Sequence, residues 1–366
     1  MNKMRGAGPA TGRRELMLGA AALGVAAGAG LWSRSARAAG TLKVGTYGGY
    51  FKDSFDEHIY PDFTRESGIE VESVAEPTGE AWLVQLQTAA KAGQAPADVS
   101  MMAQVARLKG ENAKLWATLD EAKLPNAKNL HEHFVHRYPD GGISGIGAVS
   151  WYVTLATNTE AYPEAPTSWK AFWEEDNAGQ LGLMALASNS FLLEITAKTW
   201  FGSTDVLADE AGVQKVMDKL AELVPNVQLW WRDEGQFQQA LEAGEIPMGE
   251  YYHDVTGLAA SKGKPVRSTF PAEGGVLDSG SWCVVNTSPA IAEAHTFIDY
   301  MCRPDIQAKL ARRVGTAPTV KRELTDLTSE EFAAVGSDIP PILPRYELYV
   351  EKDEWISQKW SELIAG

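Results

Sequence analysis

Between Thr41 and Asn112 the spacing of apolar residues switches repeatedly between two positions and four. Residues 41–47 alternate apolar and polar side chains, as a strand with one covered face does. Phe51, Phe55, Ile59 and Phe63 then recur every fourth position, which predicts one amphipathic helix over residues 50–67. Residues 69–74 alternate again, and Gly68 before them suits a helix end. Residues 80–92 read as helix, 97–101 as strand and 105–112 as helix. A chain that alternates strand with helix in this way folds as a sheet covered by helices, so the fold class is α/β.

A strand-rich passage at 143–158 separates this block from a second one. The second block predicts helices at 169–173, 192–201 and 213–223, then strands at 227–230, 246–252, 266–270 and 281–285. Helices follow at 291–302 and 306–314, and Trp355, Ile356, Trp360 and Leu363 mark a last one at 353–364. The length of 366 residues, 45% hydrophobic, suits two separately cored lobes with a ligand cleft between them. The expected division is 39–150 with about 286–340 as the first lobe and 151–285 as the second. Residues 341–366 form a C-terminal helical segment packed on both.

The first 38 residues have a different chemistry. Lys3, Arg5, Arg13, Arg14, Arg34 and Arg37 stand against the single acid Glu15, and an uncharged Ala/Gly-rich run spans 16–32. Ala36-Arg37-Ala38 fits an A-x-A cleavage site, and Arg13-Arg14 resembles a twin-arginine export signal. Residues 1–38 therefore read as a cleaved signal peptide, which implies a bacterial, periplasmic protein. Losing its net five positive charges takes the formal charge from −15 to −20. A chain so acidic is poorly suited to nucleic acid or an anionic membrane, both of which need clustered Lys and Arg. Cys283 and Cys302 are the only cysteines, each in an apolar segment; buried thiols and a single bond between them both fit.

Catalytic signatures are sparse. The sequence has no G-x-S-x-G elbow, Walker A loop, dinucleotide fingerprint or H-E-x-x-H. His131-Glu132-His133-Phe134-Val135-His136 is the one metal-like pattern, with His133 and His136 sharing a face if helical. A polar surface segment is the alternative. Among the paired acids, Asp233-Glu234 stands out, because it follows Trp230-Trp231 at the end of a predicted strand.

Read in order, a set of short motifs resembles the periplasmic solute-binding proteins of ABC importers, in the branch with the spermidine- and putrescine-binding proteins. They are Thr46-Tyr-Gly-Gly, Phe63-Thr-Arg-Glu-Ser-Gly-Ile-Glu-Val, Ala97-Asp-Val, Leu119-Asp and Asn158-Thr. Pro166-Thr-Ser-Trp-Lys-Ala-Phe-Trp, Pro225-Asn-Val and Ala243-Gly-Glu follow, then Phe270-Pro-Ala-Glu-Gly-Gly, Ala294-His-Thr-Phe-Ile-Asp-Tyr and Arg303-Pro-Asp. The resemblance implies a two-lobed periplasmic-binding-protein fold of type II, hinge closure on a solute, no catalysis and no cofactor. It implies two partners, a small amine solute and the membrane permease subunits, with the protein itself a monomer.

The resemblance also implies an aromatic box closed by carboxylates. Tyr47 and Tyr50, flanking Gly48 and Gly49, match aromatic positions after the first strand. Tyr251 and Asp254 match an aromatic–x–x–Asp pair, and Trp230 or Trp231 with Glu234 stands in a further box loop. Three places depart from the pattern. Ser188 and Asn189 occupy an expected acidic position, Gln104 an expected aromatic or hydroxyl one, and Asp278 lies two positions before the expected acid. An unpaired buried ammonium is costly, so fewer acids favour a ligand with one cationic head. Other solutes in view are Fe³⁺, through Tyr251-Tyr252, thiamine, and opine-like or amino-acid-like compounds. A metal-dependent enzyme using the histidine cluster is the competing class.

Overall fold

The computed structural model describes residues 40–77 and 80–365, so the expected signal peptide lies outside the described residues. Ten strands form one sheet: β1 (Thr41–Tyr47), β2 (Glu70–Glu76), β3 (Val99–Ala103), β4 (Val135–Arg137), β5 (Ile143–Asn158), β6 (Leu181–Met184), β7 (Val227–Trp231), β8 (Met248–Tyr252), β9 (Val266–Thr269) and β10 (Val276–Val284). Their order is β2-β1-β3-β10-β5-β8-β6-β7, with β4 and β9 also pairing with β5. Parallel pairs occupy the two ends, β2-β1-β3 and β8-β6-β7, as strand–helix crossovers require. In the middle β5 and β10 run antiparallel, with a bulge between Gly280 and Ser281.

Each end has its own cores. Leu42 and Val44 of β1 pack with Phe55, Ile59, Phe63, Phe297 and Trp282, while Trp82, Leu86, Met102 and Trp116 fill the opposite face. At the other end, Trp169, Phe172, Leu193 and Trp360 form one cluster and Trp231, Phe237 and Tyr251 another. The result is two lobes joined by β5 and β10, with helices Ile291–Met301 and Pro304–Val314 returning the chain to the first lobe's core.

The predicted helix over 50–67 is two helices, Tyr50–His58 and Tyr60–Ser67. Pro61 sits in the first turn of the second, where its missing N–H cannot continue the preceding ladder. Gly68, with φ of 75°, then closes that helix in the left-handed conformation. The histidine segment is not a helix: Glu132–Phe134 makes one 3-10 turn, and His136 lies on β4. Cys283 and Cys302 are buried free thiols in different clusters. The C-terminal helices Tyr346–Glu351 and Asp353–Ala365 straddle the lobes. Trp360 donates its indole N–H to Ala185 O at 2.9 Å on the second lobe, and Lys109 on the first pairs with Asp353 at 3.3 Å.

Candidate functional site

A cavity of about 200 Å³ opens where the lobes face each other across the central strands. The first lobe supplies Tyr47, at the end of β1, and Phe51, in the first turn of the next helix; their rings meet edge-on at 5.8 Å. Trp151 of β5 and Thr316, just past helix Pro304–Val314, also line it. The second lobe supplies Glu234, Tyr252, Asp254 and Val255. Both acids sit in the first turn of a helix, Glu234–Ala243 and His253–Ser261, where the helix dipole favours negative charge.

Burial nevertheless dominates their electrostatics. Desolvation pushes the Asp254 carboxyl up to about 6, helped by the charge of Glu234 and opposed by backbone N–H groups of its own turn. Glu234 is also raised, by burial and by Asp233, while a hydrogen bond from Tyr252 pulls it back. Thr316 is buried, and among the described residues its hydroxyl has no hydrogen-bond partner. Among the described lining residues none is Lys or Arg. The cavity thus presents aromatic faces, two acids and two hydroxyls, of Tyr47 and Thr316, with no partner among the described residues, a set that attracts a cation through ring quadrupoles and charge-assisted hydrogen bonds.

Of the residues singled out by sequence, Tyr47, Glu234, Tyr252 and Asp254 line this cavity. Gly48 and Gly49 form the exposed turn behind Tyr47, Gly49 at a φ of 66°. Tyr50 is 64% exposed on the rim. Trp231 is a core residue, stacked on Phe237 at 5.3 Å and edge-on to Tyr251 at 5.8 Å. Tyr251 is buried with it, while Tyr252, one position on, faces the cavity; strand parity sends the two rings to opposite sides. Trp230 packs edge-on against Trp360 at 5.9 Å, outside the cavity lining.

Gln104 is buried structure: its amide donates to Ser279 Oγ at 3.0 Å and Ser281 Oγ at 2.7 Å, and its oxygen accepts from Arg107 Nε at 2.7 Å. Ser188 bonds Asn189 within a short helix, Ala187–Ser190, that does not reach the lining. Asp278 is not in the cavity lining; it is the cross-strand partner of Trp151 and accepts the Tyr346 hydroxyl at 2.7 Å. Phe51, Trp151, Val255 and Thr316 are the lining residues that the sequence reading missed.

His131 and His133 stack at 5.5 Å over a separate cavity of about 280 Å³, lined also by Ser150 and Tyr152. Those two flank Trp151 on β5, so this cavity is on the strand's other face. His136 instead bonds Ser281 Oγ at 2.8 Å. Among the described residues no group of three or more His, Cys, Asp or Glu is arranged to hold a metal.

The sequence model for bacterial extracellular solute-binding proteins matches residues 59–334. The chain belongs to that family. Curated relatives include a gamma-aminobutyric acid-binding protein of Pseudomonas aeruginosa, 26% identical over 78% of this chain and 78% of its own length. The spermidine/putrescine-binding periplasmic protein of Escherichia coli is 25% identical over 82% of this chain and 88% of its own. Among solved structures, an ABC transporter substrate-binding protein from Bradyrhizobium japonicum superposes with a TM-score of 0.73 at 22% identity, covering 89% of this chain and 99% of that one. The two-lobed architecture is the fold of these solute-binding proteins, and the cavity lies where its lobes meet.

Proposed function

We propose that this chain is the exported substrate-binding component of an ABC importer, and that its cleft takes a small solute recognised by a protonated amine and carrying no carboxylate. The observation that carries this is the cavity lining: two acids, aromatic rings and no basic side chain among the described lining residues. The named relatives bind either a bare polyamine or an amine that also bears a carboxylate. A carboxylate placed beside Glu234 and Asp254 would meet like charge with no cation to offset it. Closure about β5 and β10, between lobes at 39–150 with 286–340 and at 151–285, would seal the amine from water. Catalysis is not part of this reading. The basic, A-x-A-terminated segment at 1–38 supports export to the periplasm.

Calorimetric titration with putrescine, spermidine, a quaternary amine and gamma-aminobutyric acid tests it. Saturable binding of one or more bare amines is expected, with the amino acid weak or silent. Tighter binding of the amino acid than of every bare amine would overturn the charge argument.

A further inference from the structure

The C-terminal segment of the chain reaches the cleft wall beside Trp151. Trp151 lines the cavity, and its register partner on β10 is Asp278. The Asp278 side chain stands beside Trp151 on the same face of the antiparallel pair, and its carboxylate accepts Ser279 N–H at 2.7 Å and the Tyr346 hydroxyl at 2.7 Å. Tyr346 begins helix Tyr346–Glu351, and its ring stands edge-on to Phe191 at 6.3 Å. On the second lobe the same helix is pinned to the fully buried Glu194, which accepts Arg345 N–H at 2.9 Å and the Tyr349 hydroxyl at 2.8 Å. On the first lobe it packs against helix Gln104–Asn112, whose Gln104 braces Ser279 beside Asp278. One carboxylate therefore joins the central strands, the C-terminal segment and a wall of the cleft.

We propose that Tyr346 is a positioning residue for the ligand site: its hydroxyl holds Asp278 in place, and Asp278 holds the Trp151 ring against which the cationic ligand lies. The proposal rests on the amine-binding reading of the cavity. A carboxylate held beside the indole limits the ring's swing, and its negative charge adds to the ring's attraction for a cation. Burial pushes Asp278 up to about 6, and the Tyr346 bond pulls against that shift. The charge of Asp278 also acts on the Tyr47 and Tyr252 hydroxyls, with Glu76 acting on Tyr47, Glu234 and Asp254 on Tyr252, and Arg107 and Glu194 on Tyr346. Removing the Tyr346 hydroxyl leaves a buried anion with one donor fewer, so Asp278 takes up its proton at higher pH.

Tyr346→Phe deletes only that hydroxyl; Tyr349→Phe deletes the neighbouring one, which serves Glu194. Putrescine and spermidine binding is measured for both variants between about pH 5 and pH 8, spanning the ordinary carboxylate and histidine ranges. Tyr346→Phe is expected to weaken binding about tenfold near neutral pH and to move the affinity–pH curve upward. Tyr349→Phe should leave that curve in place. Equal shifts in both variants, or none in Tyr346→Phe, overturn the proposal. A ligand-free readout separates the two readings: the Trp151 indole N–H resonance, assigned with Trp151→Phe, should titrate near pH 6 and do so at higher pH in Tyr346→Phe. A resonance indifferent to pH sinks the wiring even if amines bind. A titrating resonance in a protein that binds no amine sinks only the amine reading.

Discussion

Asp254 is the residue on which the cleft's charge logic turns. Its carboxyl is held up to about 6, above its ordinary value, so the folded protein prefers it protonated. The stability this gives is full below about pH 3.9 and is lost as pH rises through about 6. A bound ammonium acts oppositely, because it needs the ionised acid. Amine affinity should therefore fall as pH drops through about 6, and the ligand-induced rise in Tm should be larger near pH 7.5 than near pH 5. Thermal melts with and without putrescine check both signs. Asp254→Asn is expected to weaken amine binding by about 1.5–3 kcal/mol while leaving the free protein at least as stable at neutral pH. Calorimetry showing wild-type affinity would remove Asp254 from the site. Thr316→Val, which deletes a hydroxyl with no partner among the described residues, should stabilise the free protein and weaken a ligand that hydrogen-bonds there. Asp254 and Glu234 were legible because acids beside aromatic strand ends are chemically conspicuous. Which of Tyr251 and Tyr252 faces the cleft was not, since two adjacent tyrosines leave the strand's phase open, and a one-residue slip exchanges the faces. Trp151 and Thr316 were hidden because long-range pairing alone brings them to the cavity.

At the scale of elements, β7, β8 and helix Glu234–Ala243 form a small aromatic core whose job is to hold Glu234 and Tyr252 at the cleft. Trp231 is 2% exposed at its centre. Trp231→Ala is expected to cost about 3–5 kcal/mol in denaturant unfolding, the penalty for emptying a large core site. A variant as stable as wild type but unable to bind amine would return Trp231 to the cleft wall. Strand and helix alternation near β1–β3 was readable because each element covers one face and turns at a glycine. The break at Ile59 was missed because the four-residue spacing of Phe55, Ile59 and Phe63 continues across it; Pro61 is its cause. The first half of β10 escaped notice too. Asp278, Ser279 and Gly280 read as a loop until β5 supplies their hydrogen-bond partners.

For the whole molecule, the sheet's continuity sets the kind of motion available. Among the described residues the sheet runs continuously from one lobe to the other, with a bulge at Gly280–Ser281, so the proposed closure would be a twist and bend of β5 against β10 rather than the swing of two bodies on a flexible linker. Small-angle scattering should show the radius of gyration decrease when a saturating amine is added, and show no decrease for Asp254→Asn at the same concentration. The two buried thiols carry a separate, practical consequence. Cys283 and Cys302 each lie in an apolar cluster, and burial holds both thiols far above their ordinary range, so neither reacts readily as thiolate. A cysteine introduced at Tyr50, exposed on the rim, would be the one site open to a thiol-reactive dye. If the cleft takes an amine as proposed, the native scaffold would suit a reagentless optical sensor that reports the solute through the environment of a single fluorophore.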